Sequence, residues 1–147
     1  MDALLIVDFQ NDFTPGGALP VADGEEIAAP ITARRAAPRS RAGQDRHRRR
    51  QGPGREQPGL FRLQDTRLGD LLGARGIDWL FVAGLATDYC VKNTVLDARR
   101  EGFDVTVVED AVRGVEVEPG DSERALEEME RAGARVATSE EVLASRN

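Results

Sequence analysis

The sequence predicts an α/β fold, a three-layer α/β/α, Rossmann-like domain built on a mostly parallel sheet. Three observations carry this expectation. Residues 3–7, 79–83 and 105–108 are apolar runs without polar alternation, the pattern of strands buried on both faces. Amphipathic stretches that open on capping residues and close on glycine lie between and after them. Regular alternation of strand and helix calls for right-handed crossovers within one sheet.

Taken in order, residues 3–7 form the first strand and end at Asp8. Pro15-Gly16-Gly17 forces a turn, and Asp23-Gly24-Glu25-Glu26 opens a short helix running toward Ile31. From Arg34 to about Gly59 the chain is Arg, Gly, Pro and Gln without periodicity, and no structure is assigned there. Thr66 is placed to N-cap the next helix, with Leu68, Leu71 and Leu72 as its apolar stripe and Gly76 as its end. The strand at 79–83 follows, then a helix over 88–100 with Val91, Val95 and Ala98 facing inward. The strand at 105–108 ends in Glu109-Asp110. A helix over 121–132 turns Leu126 and Met129 inward, residues 135–137 make a last short strand, and Ser139 caps a terminal helix through Leu143. Ligands of such sheets bind beyond the carboxyl ends of the strands. Asp8, the turn at Gly84 and Asp110 are therefore expected around one cleft.

At 147 residues the chain suits a single domain, 1–147, with 34–64 an irregular Arg/Gly/Pro-rich segment. One cysteine excludes an intrachain disulfide and fits a reducing cytoplasm. The opening residues are too few and too soon acidic for a signal peptide, and no apolar run is long enough to span a bilayer. The net charge of −6 argues against a nucleic-acid partner. Residues 34–55 do hold nine arginines against one acid, Asp45, but none lies on a predicted element, where phosphate contacts need to be. The expected partner is a small molecule, with no nucleic acid and no membrane, and a homo-oligomer is left open.

The lone cysteine, Cys90, follows Gly84-Leu85-Ala86-Thr87-Asp88-Tyr89 between a strand and a helix start. The positive end of the helix dipole and unpaired N–H groups there favour thiolate, and the same N–H groups can hold an oxyanion. Asp8, at a strand end, is a carboxylate able to take a thiol proton and return it to a leaving amine. Each has a plainer alternative: a small buried apolar residue for Cys90, a loop hydrogen bond for Asp8.

Two segments combine these residues. Residues 3–13 (ALLIVDFQNDF) with 15–21 (PGGALPV), and residues 84–94 (GLATDYCVKNT) with Asp97-Ala98 and Gly102-Phe103, resemble the nicotinamidases of the isochorismatase-like cysteine hydrolase family. The resemblance implies hydrolysis of nicotinamide to nicotinate and ammonia in NAD salvage. By that resemblance Cys90 attacks the carboxamide carbon and forms a thioester. Asp8 moves the proton, the backbone N–H groups of Ala86 and Cys90 form the oxyanion hole, and the Leu85–Ala86 peptide is cis. Phe13 packs against the pyridine ring, a role it shares with the alternative of a core aromatic. Another cysteine amidase of the superfamily, or a truncated homologue acting as a binding module, are the alternative readings.

The family also uses a lysine between the two segments and a divalent metal (zinc, iron or manganese) bound through an Asp-x-His pair and a later histidine. Asp45-Arg46-His47 has that spacing, but the chain has no second histidine, and its one lysine, Lys92, follows the nucleophile. Residues 34–64 replace a longer middle segment. CGN arginine codons read one base later become GNN codons for Val, Ala, Gly, Asp or Glu, so a shifted reading frame would leave such a run.

Overall fold

The computed structural model describes residues 1–8, 21–24, 26–36 and 67–145. The elements are β1 (Asp2–Val7), α1 (Ala28–Ala36), α2 (Leu68–Ala74), β2 (Trp79–Leu85), a π-helical turn (Thr87–Val91) that runs into α3 (Lys92–Arg100), β3 (Asp104–Arg113), α4 (Asp121–Arg131), β4 (Arg135–Ala137) and α5 (Ser139–Ala144). The four strands form one sheet in the order β1-β2-β3-β4, every pair parallel. No helix among the described residues is long and apolar enough to cross a membrane.

The apolar runs of β2 and β3 are covered on both faces, whereas β1, at the edge of the sheet among the described residues, is mostly half-buried and leaves Ile6 exposed, unlike the expected strand buried on both sides. On one face Leu5, Val7, Leu80, Val82, Val105 and Val107 pack with Val91, Val95 and Ala98 and with Ala125 and Met129 of α4. On the other face Phe81, Ala83, Leu85 and Val108 meet Val21, Ile27 and Ile31 from around α1 and Val142 of α5. This is the expected three-layer α/β/α arrangement. Each Val, Leu, Ile, Phe or Met side chain among them taken out of water contributes about 1.5–3 kcal/mol before the entropy of ordering is set against it.

Several local expectations change. The first helix begins at Ala28 and reaches Ala36, so Arg34 and Arg35 lie on a helix rather than in unassigned chain. Thr66 lies outside the described residues, and α2 starts after Arg67 without a side-chain cap. The 88–100 helix is two pieces, the π-turn and α3. Ser139 is not the cap of α5. Thr138 is, in a capping box with Glu141: its hydroxyl accepts from the Glu141 N–H at 3.2 Å, and its own N–H donates to the Glu141 carboxylate at 2.9 Å.

The third strand does not end at Asp110 but continues to Arg113. Val82 of β2 opposes Val107, whereas Gly84 opposes Val112, so β3 bulges between them. The bulge reverses the parity of the strand: Val107 and Val112 both face α3 and α4, while Val108 and Ala111 face α1 and α5. Asp110 sits in the bulge, and its carboxylate accepts from the Ser139 N–H at 2.7 Å and the Ser139 hydroxyl at 2.5 Å. It fastens α5 to the sheet.

At the carboxyl end of the sheet the β1 and β2 backbones come close. Gly84, opposite Val7, has φ +123°, and a Cβ there would collide with the Val7 carbonyl oxygen and lie 2.7 Å from its nitrogen. Only glycine fits that geometry. Gly84→Ala is expected to destabilise the fold by about 2–4 kcal/mol, read by calorimetry as a fall in Tm of roughly 5–10 °C.

Candidate active site

Beyond that close approach, two short segments leave the sheet together. Asp8 follows β1 with φ +41°, a left-handed conformation that aspartate tolerates better than most residues. After β2 the Leu85–Ala86 peptide bond is cis, as expected, and the π-turn begins. The Ala86 carbonyl accepts from the Tyr89 N–H at 3.1 Å and the Val91 N–H at 3.0 Å. That i→i+5 bond widens the turn, a local form often found at functional sites.

Cys90 lies on this turn, half-buried. Burial first, then a hydrogen bond with Asp8 and the charge of Asp8, push its thiol up from an ordinary 9.0 to about 11. The backbone N–H groups of Ala86 and Cys90 act on the same sulfur in the opposite direction. The carboxylate, the thiol and the two amides singled out in the sequence are thus brought together at one sulfur atom. Such an arrangement can hand a proton from sulfur to carboxylate while two N–H donors face developing negative charge.

Phe13, Asp45 and His47 lie outside the described residues. Lys92 pairs with Glu128 of α4 at 3.2 Å. Among the described residues no three of His, Cys, Asp or Glu sit together as metal ligands. With a single histidine in the whole chain, the donor set does not fit the family's metal site, and no catalytic step below passes through a metal.

One residue of the turn had no signal in the sequence beyond its charge. Asp88, 8% exposed, accepts from the Val115 N–H and the Glu116 N–H, each at 3.0 Å. Its partners lie on the loop after β3, and no local spacing announces them.

The sequence matches the Isochorismatase domain over residues 55–141, more than half of the chain. The chain belongs to the isochorismatase family. Segments of it are 53% identical to the nicotinamidase of Escherichia coli strain K12 over 77 residues, 52% of this chain and 36% of that protein. The chain therefore spans about a third of the length of that curated relative in the matched region. Among solved structures, the pyrazinamidase of Pyrococcus horikoshii in complex with zinc superimposes with a TM-score of 0.71 and 31% identity, covering 93% of this chain and 98% of that one. A protein of L. infantum in complex with nicotinate gives a TM-score of 0.72 and 25% identity, over 95% of this chain and 93% of that one.

The thiol's environment has a measurable consequence. A pKa raised in the folded state favours the protonated form, so this contribution to stability is present below the ordinary value near 9 and is lost as pH rises toward 11. Alkylation of Cys90 by iodoacetamide is expected to climb with pH toward a midpoint near 11. In Asp8→Asn, with the anionic neighbour gone but the burial kept, that midpoint is expected to fall below 11, as followed by mass spectrometry across a pH series.

Proposed function

We propose that this chain is an amidohydrolase that converts nicotinamide to nicotinate and ammonia through Cys90, a reaction of NAD salvage. The observation that carries the reading is the convergence on the Cys90 sulfur of the Asp8 carboxylate and the Ala86 and Cys90 amides. The nicotinamidase of E. coli and the nicotinate held by the L. infantum protein support the choice of substrate.

In this mechanism the Cys90 sulfur attacks the carboxamide carbon as its proton passes to Asp8. The carbonyl oxygen becomes an oxyanion facing the Ala86 and Cys90 N–H groups. Asp8 gives the proton to the departing nitrogen, ammonia leaves, and a thioester to Cys90 remains. Water adds to that thioester with Asp8 taking its proton, and collapse releases nicotinate and restores the thiol. Proton transfer contributes about 10²–10⁴-fold and each oxyanion donor about 10²–10³-fold in such sites. Phe13 is assigned to the pyridine ring, and Asp45 with His47 supply two donors, one histidine short of the family's metal set.

A second reading, a family member that holds its ligand without turning it over, draws on the thiol raised to about 11 and on Lys92 being committed to Glu128. Ammonia release from nicotinamide separates the two. Cys90→Ala is expected to lower kcat by at least about 10³-fold, and Asp8→Asn by about 10²–10⁴-fold. Turnover that survives Cys90→Ala removes the nucleophile assignment, and no turnover by the unaltered chain leaves the binding reading.

A further inference from the structure

We propose that Asp88 is the positioning residue of the nucleophile turn, holding the Ala86 and Cys90 amides in place through the loop that follows β3. This rests on the amidohydrolase reading of the Cys90 site. An acidic residue in the first turn of a helix ordinarily accepts from that helix's own N–H groups. Asp88 does not. Neither the π-turn nor α3 has a side-chain cap, and both oxygens of Asp88 are spent on Val115 and Glu116. Burying a carboxylate costs several kcal/mol unless donors meet it, so the two amides fix where the group can sit.

The loop is shaped for this contact. Glu116 takes a left-handed φ of +54°, which aims two successive N–H groups at one anion. Gly114 lets the chain pass: a Cβ there would collide with the Ser122 hydroxyl and lie 3.2 Å from Asp88 Oδ1. Glu116 in turn accepts from the Gly120 N–H at 2.9 Å and the Ser122 N–H at 2.8 Å, which anchors the loop to the start of α4. From sheet to helix, the path runs Cys90 turn, Asp88, residues 114–116, Glu116, α4. Asp88 lies two residues before the nucleophile, so a loosened carboxylate loosens the amides on either side of it.

The variant Asp88→Asn keeps shape but sets an amide NH₂ against one of the two N–H donors. It is expected to lower kcat on nicotinamide by about 10–100-fold with KM within about threefold. Hydrogen exchange at the amides of residues 86–91 is expected to quicken at least about tenfold. Asp110→Asn, which breaks the comparable carboxylate link to α5, serves as the control and is expected to lower Tm while leaving kcat unchanged. Unchanged kcat and exchange in Asp88→Asn, or equal kcat losses in both variants, overturn the proposal. Should the unaltered chain release no ammonia, the exchange measurement still decides: faster exchange at 86–91 upholds the positioning role while the hydrolase reading falls, and unchanged exchange overturns it. If Asp88→Asn fails to fold, Glu116→Ala loosens the loop from its exposed side. It is expected to quicken exchange at 86–91, and no change there overturns the proposal.

Discussion

The contact on which the site depends is the approach of two backbones, Val7 and Gly84. Without a side chain at position 84, β1 and β2 draw together at their carboxyl ends, and the chains leaving them emerge side by side. Asp8 leaves on one and the Leu85–Cys90 turn on the other. A carboxylate and a thiol more than eighty positions apart in sequence meet because a hydrogen atom replaces a Cβ between them.

The surroundings of the thiol are lopsided. Burial and an anionic neighbour hold the proton on sulfur, and only backbone dipoles act the other way. The one lysine joins α3 to α4 and adds no cation to the sulfur's surroundings. A thiol in that condition is a poor standing nucleophile. In the proposed mechanism it gains reactivity only as its proton moves to Asp8, so the placing of that carboxylate matters there more than its charge.

The strands β1 and β2 and the body of β3 were legible because continuous apolar runs have one economical home in a sheet. The meeting of Asp8, Ala86 and Cys90 was legible from the segments around them, while their roles belong to the proposed mechanism. What escaped was made of backbone or of distant pairs. The extension of β3 was hidden because Glu109 and Asp110 interrupt its apolar run and the bulge reverses its parity. The π-turn has no composition of its own, being a matter of which carbonyl the Val91 N–H reaches. The choice of Thr138 over Ser139 as a cap turned on one position, since either hydroxyl suits the role and Ser139 was drawn to Asp110. Asp88 announced only a charge; its donors lie 27 and 28 residues away.

The order of strands in the sheet also orders assembly. β2, β3 and β4 pair with near neighbours in sequence, each joined by a single helical crossover, whereas β1 reaches β2 with residues 8–78 between them. Loop-closure entropy grows with that separation, so contacts between β1 and β2 are the slowest to be rewarded. The carboxylate beside Cys90 arrives on the strand with the longest search. Loop-closure entropy therefore weighs more heavily on the pairing that sets Asp8 beside Cys90 than on any other pairing in the sheet.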